Sequence, residues 1–300
     1  MAQRSGMEYV GPFAFNGIRF ILGSLSLFPL IVFRKNRNPA QGGLKKAIPG
    51  ALIAGTCLFI AVTLQQTGIM FTTAGNAGFI TGLYVVLTPV FGIFLGRKTG
   101  PITWIGTVFT FTGLYLISAA GHLDNINPGD VIIALGAIFW AFHVLLIDRL
   151  VQKKDPVDPI VLSSGQFCVC GLFSLAAAFL VEPFLAVGLK SYVLFEWAPF
   201  PTLLNGLSAG IIPFELVSGA IIPILFGGIA SVGIAYTLQV VAQRDAPPAH
   251  ATIILCLEGC FAALGGIIIL HEPLGTWTLL GFALMLMGML ISQWEIIAKR

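Results

Sequence analysis

Two charged side chains stand well inside apolar stretches of this sequence, and they are the first candidates for chemistry. Arg19 lies about two turns into one stretch, and Glu258 lies near the middle of another. A charge in an apolar environment is costly unless it faces protein or water, so such residues commonly mark substrate or ion pathways. Alternatively, neighbouring polar groups satisfy both charges and the residues only fix the packing, and Arg19 could extend toward lipid headgroups.

The stretches around these charges are long enough to cross a membrane. Of the 300 residues, 57% are hydrophobic and 10% are charged, against roughly 45–50% and 25% in soluble proteins. Each stretch has the roughly 18–25 mostly apolar residues that a bilayer crossing needs. The sequence therefore predicts an all-α integral membrane protein with nine spans, at 12–33, 48–71, 74–95, 101–119, 129–151, 157–181, 219–242, 249–270 and 276–297.

Basic residues are distributed unequally between the two sides of these spans. The loops after spans one, three, five and seven, together with the C-terminus, hold 13 Lys and Arg residues. The loops of the other side hold Lys190, with Arg4 at the N-terminus. Because Lys and Arg collect in cytoplasmic loops, we expect a multi-pass protein of an inner or plasma membrane with a cytoplasmic C-terminus.

A six-residue phrase occurs twice and indicates an internal duplication. Residues Ile60 to Gln65 (IAVTLQ) return 174 positions later as Ile234 to Gln239 (IAYTLQ), and Gly106 and Gly113 match Gly281 and Gly288 at an offset of 175. Self-similarity of this kind predicts two copies of one structural unit. We place the first repeat at 1–119 and the second at 129–298.

The first copy is expected to lack one helix. Pro12-Phe13 aligns with Pro159-Ile160, whereas nothing in the first copy matches 129–147. The chain thus would begin inside a repeat, although a natural nine-span protein is the alternative. Five spans per copy is an odd number, so the second copy would insert upside down, giving the inverted five-helix repeats of a ten-helix carrier with nine spans present. The unmatched connection 182–216 is expected outside, as an interfacial helix, a lid or a passive linker.

Polar and aromatic residues at matching positions of the two copies form the candidate site. Glu258 matches Tyr84, Gln239 matches Gln65, and Gln166 matches Arg19. Such groups would face a cavity on a pseudo-twofold axis; hydrogen bonds between helices, worth about 0.6–2 kcal/mol each, are the alternative. The candidate substrate-binding residues are Asn16, Arg19, Gln65, Asn76, Tyr84, Trp140, His143, Gln166, Tyr236, Gln239 and Glu258. We expect Tyr84, Gln239 and Glu258 to line one cavity.

Other chemistries find little support in the sequence. A P-loop is missing, the four histidines are scattered, and the five cysteines fall inside spans as apolar core residues. We therefore expect no cofactor and no metal. The net charge of +3 comes from loops that flank spans and does not indicate nucleic acid. A membrane enzyme would need a cluster of acid, base or metal ligands near an interface, so no enzyme is expected.

Several short motifs resemble a known family when they are taken together. They are QRxGM at 3–7 with PFxFNxxRF at 12–20, TGLYVVxxP at 81–89, GLYL at 113–116, AYTLQ at 235–239, and Leu257-Glu258 followed by His271-Glu272. The sequence resembles the EamA-like branch of the drug/metabolite transporter superfamily over essentially its whole length. The resemblance implies two inverted five-helix repeats and efflux or exchange of small metabolites, amino acids among them, through a central cavity by alternating access.

The sequence thus predicts a secondary transporter that exports or exchanges a small polar or amphipathic metabolite. The expected partners are that solute, the lipid bilayer and protons as a candidate coupling ion. Glu258 is the expected proton-linked group, because low-dielectric surroundings change the pKa of a carboxylate. A membrane channel or a non-transporting scaffold is the alternative.

Overall fold

The computed structural model describes residues 10–37, 44–72, 74–118, 128–152, 157–184, 214–258, 260–261 and 275–297, and their regular structure is helical throughout. In chain order the elements are α1 (Pro12–Ser26), α2 (Phe28–Arg37), α3 (Leu44–Ile69), α4 (Ala74–Gly82), α5 (Tyr84–Phe94), α6 (Pro101–Ser118), α7 (Pro128–Val151), α8 (Pro159–Leu180), α9 (Phe214–Leu225), a π-helical segment (Phe226–Tyr236), α10 (Thr237–Gln243), α11 (Pro248–Leu255) and α12 (Thr276–Ile297).

Most of the predicted spans coincide with helices of span length. Within the described residues, seven regions are long and apolar enough to cross a membrane, namely Pro12–Arg34, Lys45–Ile69, Asn76–Phe94, Pro128–Val151, Pro159–Leu180, Gly219–Gln243 and Thr276–Trp294. The predicted fourth span is the shorter apolar helix Pro101–Ile117. The far part of the predicted eighth span, the motif His271-Glu272, the N-terminal motif at 3–7 and the connection at 185–213 lie outside the described residues.

Several of the predicted spans are interrupted rather than continuous in the described residues. The first is divided between α1 and α2 at Leu27, and the third between α4 and α5 at Leu83. At the second break the Val86 N–H donates to the Leu83 carbonyl (3.0 Å), and the Gly82 carbonyl accepts from the Cys256 thiol (3.9 Å). A side chain that takes over a carbonyl of the helical ladder is a recognised cause of helix kinks.

The seventh predicted span contains the π-helical segment. Here Gly228 and Val232 pack against α1, where a Cβ on Gly228 would lie 2.7 Å from the Leu22 side chain. The absence of a side chain at this position lets the backbones approach closely. π-helical turns are rare and occur frequently at functional sites.

The centre of the bundle is formed by α1, α3, α7, α8 and the π-helical segment. α1 packs on α8 and on the π-helical segment, α3 packs on α7 and α8, and α6 packs on α12. The buried side chains of the central cluster include Phe20, Leu58, Val62, Trp140 and Phe167. Seven of the eleven predicted site residues lie on these five elements.

Polar contacts fasten the helices together at both ends of the bundle. At one end, the buried Glu182 carboxylate accepts from the backbone N–H groups of Phe13 and Ala14, both at 2.8 Å. We call the opposite end, where the loops carry Arg34, Arg97, Arg149 and Arg244, the basic end. There Arg97 forms an ion pair with Asp148, whose side chain is 1% exposed.

Candidate functional site

A cavity lies among the central helices where the two predicted repeats meet. Its volume is about 70 Å³, and nine residues from α3, α4, α5, α7, the π-helical segment, α10 and the region around α11 line it. They are Gln65, Thr81, Tyr84, Trp140, Val144, Tyr236, Gln239, Leu255 and Glu258. Six of the eleven predicted site residues therefore lie on one cavity, including Tyr84, Gln239 and Glu258 together.

Aromatic side chains form one wall of this cavity. The rings of Trp140 and Tyr236 meet edge to face with centroids 5.9 Å apart, and Tyr236 packs on Phe20 at 6.3 Å. Tyr236 is the last residue of the π-helical segment, so the irregular turn sets the position of its ring. Tyr84 packs against the buried cluster that contains Cys256, on the side of α11.

Two glutamine side chains connect the cavity wall to neighbouring helices. Gln65 Nε2 donates to Thr81 Oγ1 at 3.2 Å, which joins α3 to α4. Gln239 Nε2 donates to Gln243 Oε1 at 3.4 Å, and Gln243 Nε2 donates in turn to the Val144 carbonyl at 2.9 Å. This chain of hydrogen bonds joins α10 to α7 and closes the cavity on the side of the basic end.

Glu258 supplies the only formal charge among the nine lining residues, and its side chain is exposed. Arg19 lies behind the wall at 1% exposure, where its Nε donates to Asn16 Oδ1 at 3.1 Å. Its guanidinium also lies over the rings of Phe15 and Phe20, at 5.5 and 5.0 Å from their centroids. Arg19 and Glu258 attract each other electrostatically, but Arg19 does not line the cavity.

The other predicted site residues are buried beside the cavity rather than on it. His143 Nε2 and Gln166 Oε1 share a hydrogen bond of 2.9 Å, and the imidazole meets the Trp140 ring edge to face at 5.9 Å. Asn16 Nδ2 donates to the Val62 carbonyl at 3.5 Å. Asn76 is buried near the start of α4 and is not among the lining residues. These side chains support the wall by joining α7 to α8 and α1 to α3.

The sequence interpretation missed three lining residues and one residue that closes the cavity. Thr81, Val144 and Leu255 line the cavity, and Gln243 closes it. Val144 and Gln243 each lie four residues after a predicted site residue, so the helical period was the signal that would have found them. Leu255 carries no polar group, and nothing in the sequence distinguishes it from other apolar residues of the span.

The size of the cavity shows which conformation the structure captures. Sites that bind small molecules typically enclose about 300–1,000 Å³, whereas this cavity of about 70 Å³ has room for a few water molecules only. The cavity is therefore too small to hold a metabolite in this conformation, and the helices around it would have to separate to admit one.

A second, larger cavity is apolar and lies at the outer side of α5 and α6. Its volume is about 300 Å³, and its lining residues include Leu83, Leu87, Trp104 and Phe111. The hydroxyl of Thr107, which also lines it, donates to the Thr103 carbonyl at 2.9 Å. The described residues that line this cavity offer apolar surface and no charged group.

The sequence pattern of the EamA-like transporter family matches residues 1–119 and 127–293. The chain belongs to the EamA-like transporter family. It is therefore a multi-pass membrane transporter, and members of this family are generally not enzymes. The predicted family is confirmed, as is the all-α membrane fold. The inverted orientation of the two repeats and their boundaries stay predictions.

Relatives of this transporter carry names that agree with the assignment. An uncharacterized transporter of Archaeoglobus fulgidus is 27% identical over 286 residues, which are 95% of this chain and 78% of that protein. The uncharacterized transporter YvbV of Bacillus subtilis is 28% identical over 70% of this chain and 65% of its own length. The uncharacterized inner membrane transporter YedA of Escherichia coli is 23% identical over 49% of this chain and 47% of its own length.

The fold of this EamA-like transporter also occurs in a solved crystal structure. The two structures agree with a TM-score of 0.71 over 97% of this chain and 90% of the other, at 16% sequence identity. Identity at that level supports the architecture alone. The nine residues of the cavity must therefore be interpreted from their own chemistry.

Proposed function

We propose that this EamA-like transporter is a secondary carrier that exports or exchanges a small polar or amphipathic metabolite, such as an amino acid, by alternating access. The observation that carries the proposal is the closed central cavity, in which a carboxylate, two amides and three aromatic rings converge from several helices. Polar groups inside membrane spans are expensive, and their usual role is to bind a solute or an ion.

The distribution of the lining residues suits alternating access. Gln65 and Tyr84 come from the first predicted repeat, and Trp140, Tyr236 and Glu258 come from the second. Movement of one half against the other would open the cavity to either side while the same residues hold the solute. The breaks in the helices next to the cavity supply the places where such bending costs least.

Proton coupling is the second part of the proposal. Glu258 is the only carboxylate among the lining residues and is exposed to the cavity space. A carboxylate that meets the solute on one side of the cycle can exchange a proton on the other. Glu258 would then link solute movement to the proton gradient.

The experiment is counterflow in liposomes that contain the purified protein. We expect labelled amino acids, offered one at a time to liposomes preloaded with the unlabelled compound, to give saturable uptake for at least one of them. Glu258→Gln should lower that uptake at least tenfold and remove its dependence on an imposed pH gradient. Asp245→Asn is the matched control, because it removes one exposed carboxylate from a loop at the basic end.

The outcomes separate the competing functions. Flux that rises linearly with concentration and follows the membrane potential would indicate a channel and overturn the carrier. Saturable counterflow that keeps its pH dependence in Glu258→Gln would remove Glu258 from proton coupling. The absence of counterflow for every amino acid would overturn the proposed substrate group.

A further inference from the structure

The geometry of the cavity points to a solute that carries a protonated amine. This inference rests on the proposed function, because it specifies the solute that the central cavity would take. It depends on three features of the wall, which are its charge, its aromatic rings and its amide oxygens. The charge and the rings favour a cation over an anion of the same size, and the amide oxygens can accept the hydrogen bonds that an ammonium group donates.

The charge of the wall is negative. Glu258 is the only one of the nine lining residues with a formal charge at neutral pH, and no Lys, Arg or His is among them. Charges interact far more strongly in a site that excludes water than in bulk water. An anionic solute would lie beside the Glu258 carboxylate without a lining cation to balance it, whereas an ammonium group would form an ion pair there.

The aromatic faces of the wall favour the same charge. Trp140, Tyr236 and Tyr84 all line the cavity, and the first two meet edge to face at 5.9 Å. The face of an aromatic ring attracts a cation, and Trp and Tyr do so more strongly than Phe. The protein already uses this attraction nearby, where the Arg19 guanidinium lies over the rings of Phe15 and Phe20.

Among the described residues, Arg19 is the cation that argues against an amine. It attracts Glu258 over a distance and so reduces the negative potential of the wall. Its side chain, however, is buried behind the wall at 1% exposure, with Nε bonded to Asn16. Arg19 therefore cannot contact a carboxylate of the solute in this closed conformation, while Glu258 remains available to an amine.

The two lining amides already use their nitrogens on protein groups. Gln65 Nε2 donates to Thr81, and Gln239 Nε2 donates to Gln243. Each amide also presents its carbonyl oxygen, which only accepts hydrogen bonds, and keeps one further N–H on its nitrogen. An ammonium group has three donors to give, so it complements Glu258 and these two oxygens together.

The test compares three probes of one shape and different charge on the purified transporter in detergent at neutral pH. Phenethylamine is the cation, 3-phenylpropionate the anion and 2-phenylethanol the neutral probe, and calorimetric titration gives each dissociation constant. We expect phenethylamine to bind the wild-type protein at least tenfold more tightly than 3-phenylpropionate. Equal or tighter binding of the anion, or no binding of phenethylamine up to its solubility limit, would overturn the inference.

Substitutions then assign the preference to this cavity. Glu258→Gln should weaken phenethylamine at least tenfold and leave 2-phenylethanol within about twofold, because a truncated buried charge pair mainly affects the charged partner. Tyr236→Leu should weaken phenethylamine severalfold through the lost ring face. Asp245→Asn should bind all three probes as the wild type does. Unchanged phenethylamine affinity in a folded Glu258→Gln protein would contradict the proposed site. If that variant does not fold, the affinities of the wild-type protein for phenethylamine and 3-phenylpropionate decide whether the inference holds.

Counterflow separates a failure of this inference from a failure of the proposed function. Charge-selective binding of phenethylamine without saturable counterflow of any probe would support the amine site and overturn the carrier. Saturable counterflow of labelled 3-phenylpropionate in preference to phenethylamine would support the carrier and overturn the amine preference.

Discussion

Gly106 and Gly288 bring the backbones of α6 and α12 into direct contact. A Cβ built on Gly106 would lie 2.7 Å from the Gly288 carbonyl oxygen, and one built on Gly288 would lie 2.6 Å from the Gly106 oxygen. Gly113 and Gly281 repeat the arrangement at 2.5 and 2.6 Å. In a bilayer, close packing of this kind is a main source of helix association, because lipid offers apolar contacts as good as those of leucine.

The same four glycines are the ones that the internal duplication pairs. By sequence, Gly106 corresponds to Gly281 and Gly113 to Gly288. In space, Gly106 contacts Gly288, which is the sequence counterpart of Gly113. Gly113 contacts Gly281, which is the sequence counterpart of Gly106. Reciprocal contacts of this type are what a twofold relation between two like units produces. These spatial contacts could not be predicted from the sequence, and they agree with the predicted inverted repeat.

Replacement of Gly106 by alanine tests this contact. We expect Gly106→Ala to destabilise the protein by about 1–3 kcal/mol, because the new methyl group has to push two backbones apart. The measurement is thermal unfolding in detergent, followed by circular dichroism. Gly78→Ala is the control, since a Cβ there has nothing within 4 Å and alanine favours the helix. A loss of stability in Gly78→Ala as large as in Gly106→Ala would show that α6 and α12 do not depend on the glycine.

Glu182 is expected to stabilise the start of α1 from the end of α8. Its carboxylate accepts from the N–H groups of Phe13 and Ala14, which have no partner within their own helix. Glu182→Ala should lower stability by about 1–3 kcal/mol, because it leaves buried donors unsatisfied. Glu182→Gln keeps an acceptor oxygen and should retain a large part of that stability in the same unfolding assay. If both variants unfolded like the wild type, the carboxylate would not be holding α1.

The ion pair between Arg97 and Asp148 is expected to hold the end of α5 to α7. Asp148 is buried and Arg97 is partly exposed, so Arg97→Gln leaves a buried carboxylate with one partner fewer. We expect a loss of about 1–3 kcal/mol for Arg97→Gln. The double variant Arg97→Gln/Asp148→Asn should be less destabilised than the sum of the single variants. Strict additivity in the thermal unfolding of the three proteins would mean that the two side chains do not interact.

The positions of the spans follow from composition, but the interruptions within them do not. Hydrophobicity and length were enough to predict the helices, because a bilayer forces every crossing segment to satisfy its own backbone. At the break at Leu83, the Gly82 carbonyl accepts from the thiol of Cys256, which lies far along the chain. No local pattern around Leu83 reports such a partner.

The duplicated phrase correctly predicted two residues of the cavity. Gln65 and Gln239 occupy equivalent positions of like units, and the structure places both on the cavity. Arg19 was chosen because a charge in a span is costly, yet its own neighbours Asn16, Phe15 and Phe20 surround it. The free-energy cost of a charge inside a span thus identifies a residue that needs partners. Only the packing shows whether those partners are protein groups or a solute.

Trp140 offers a test that separates binding from stability. Its indole Nε1 is buried without a hydrogen-bond partner among the described residues, and its ring lines the cavity. Trp140→Phe removes this donor and keeps an aromatic face, so no existing hydrogen bond is lost and stability should change by no more than about 1–2 kcal/mol. If the indole N–H donates to an acceptor atom of the solute, Trp140→Phe should raise the KM for amino acid counterflow at least threefold, with the maximal rate less affected. Phe142→Leu is the control, because that aromatic residue of α7 is exposed and stacks on Phe91 away from the cavity. An unchanged KM in Trp140→Phe would mean that only the ring face of Trp140 meets the solute.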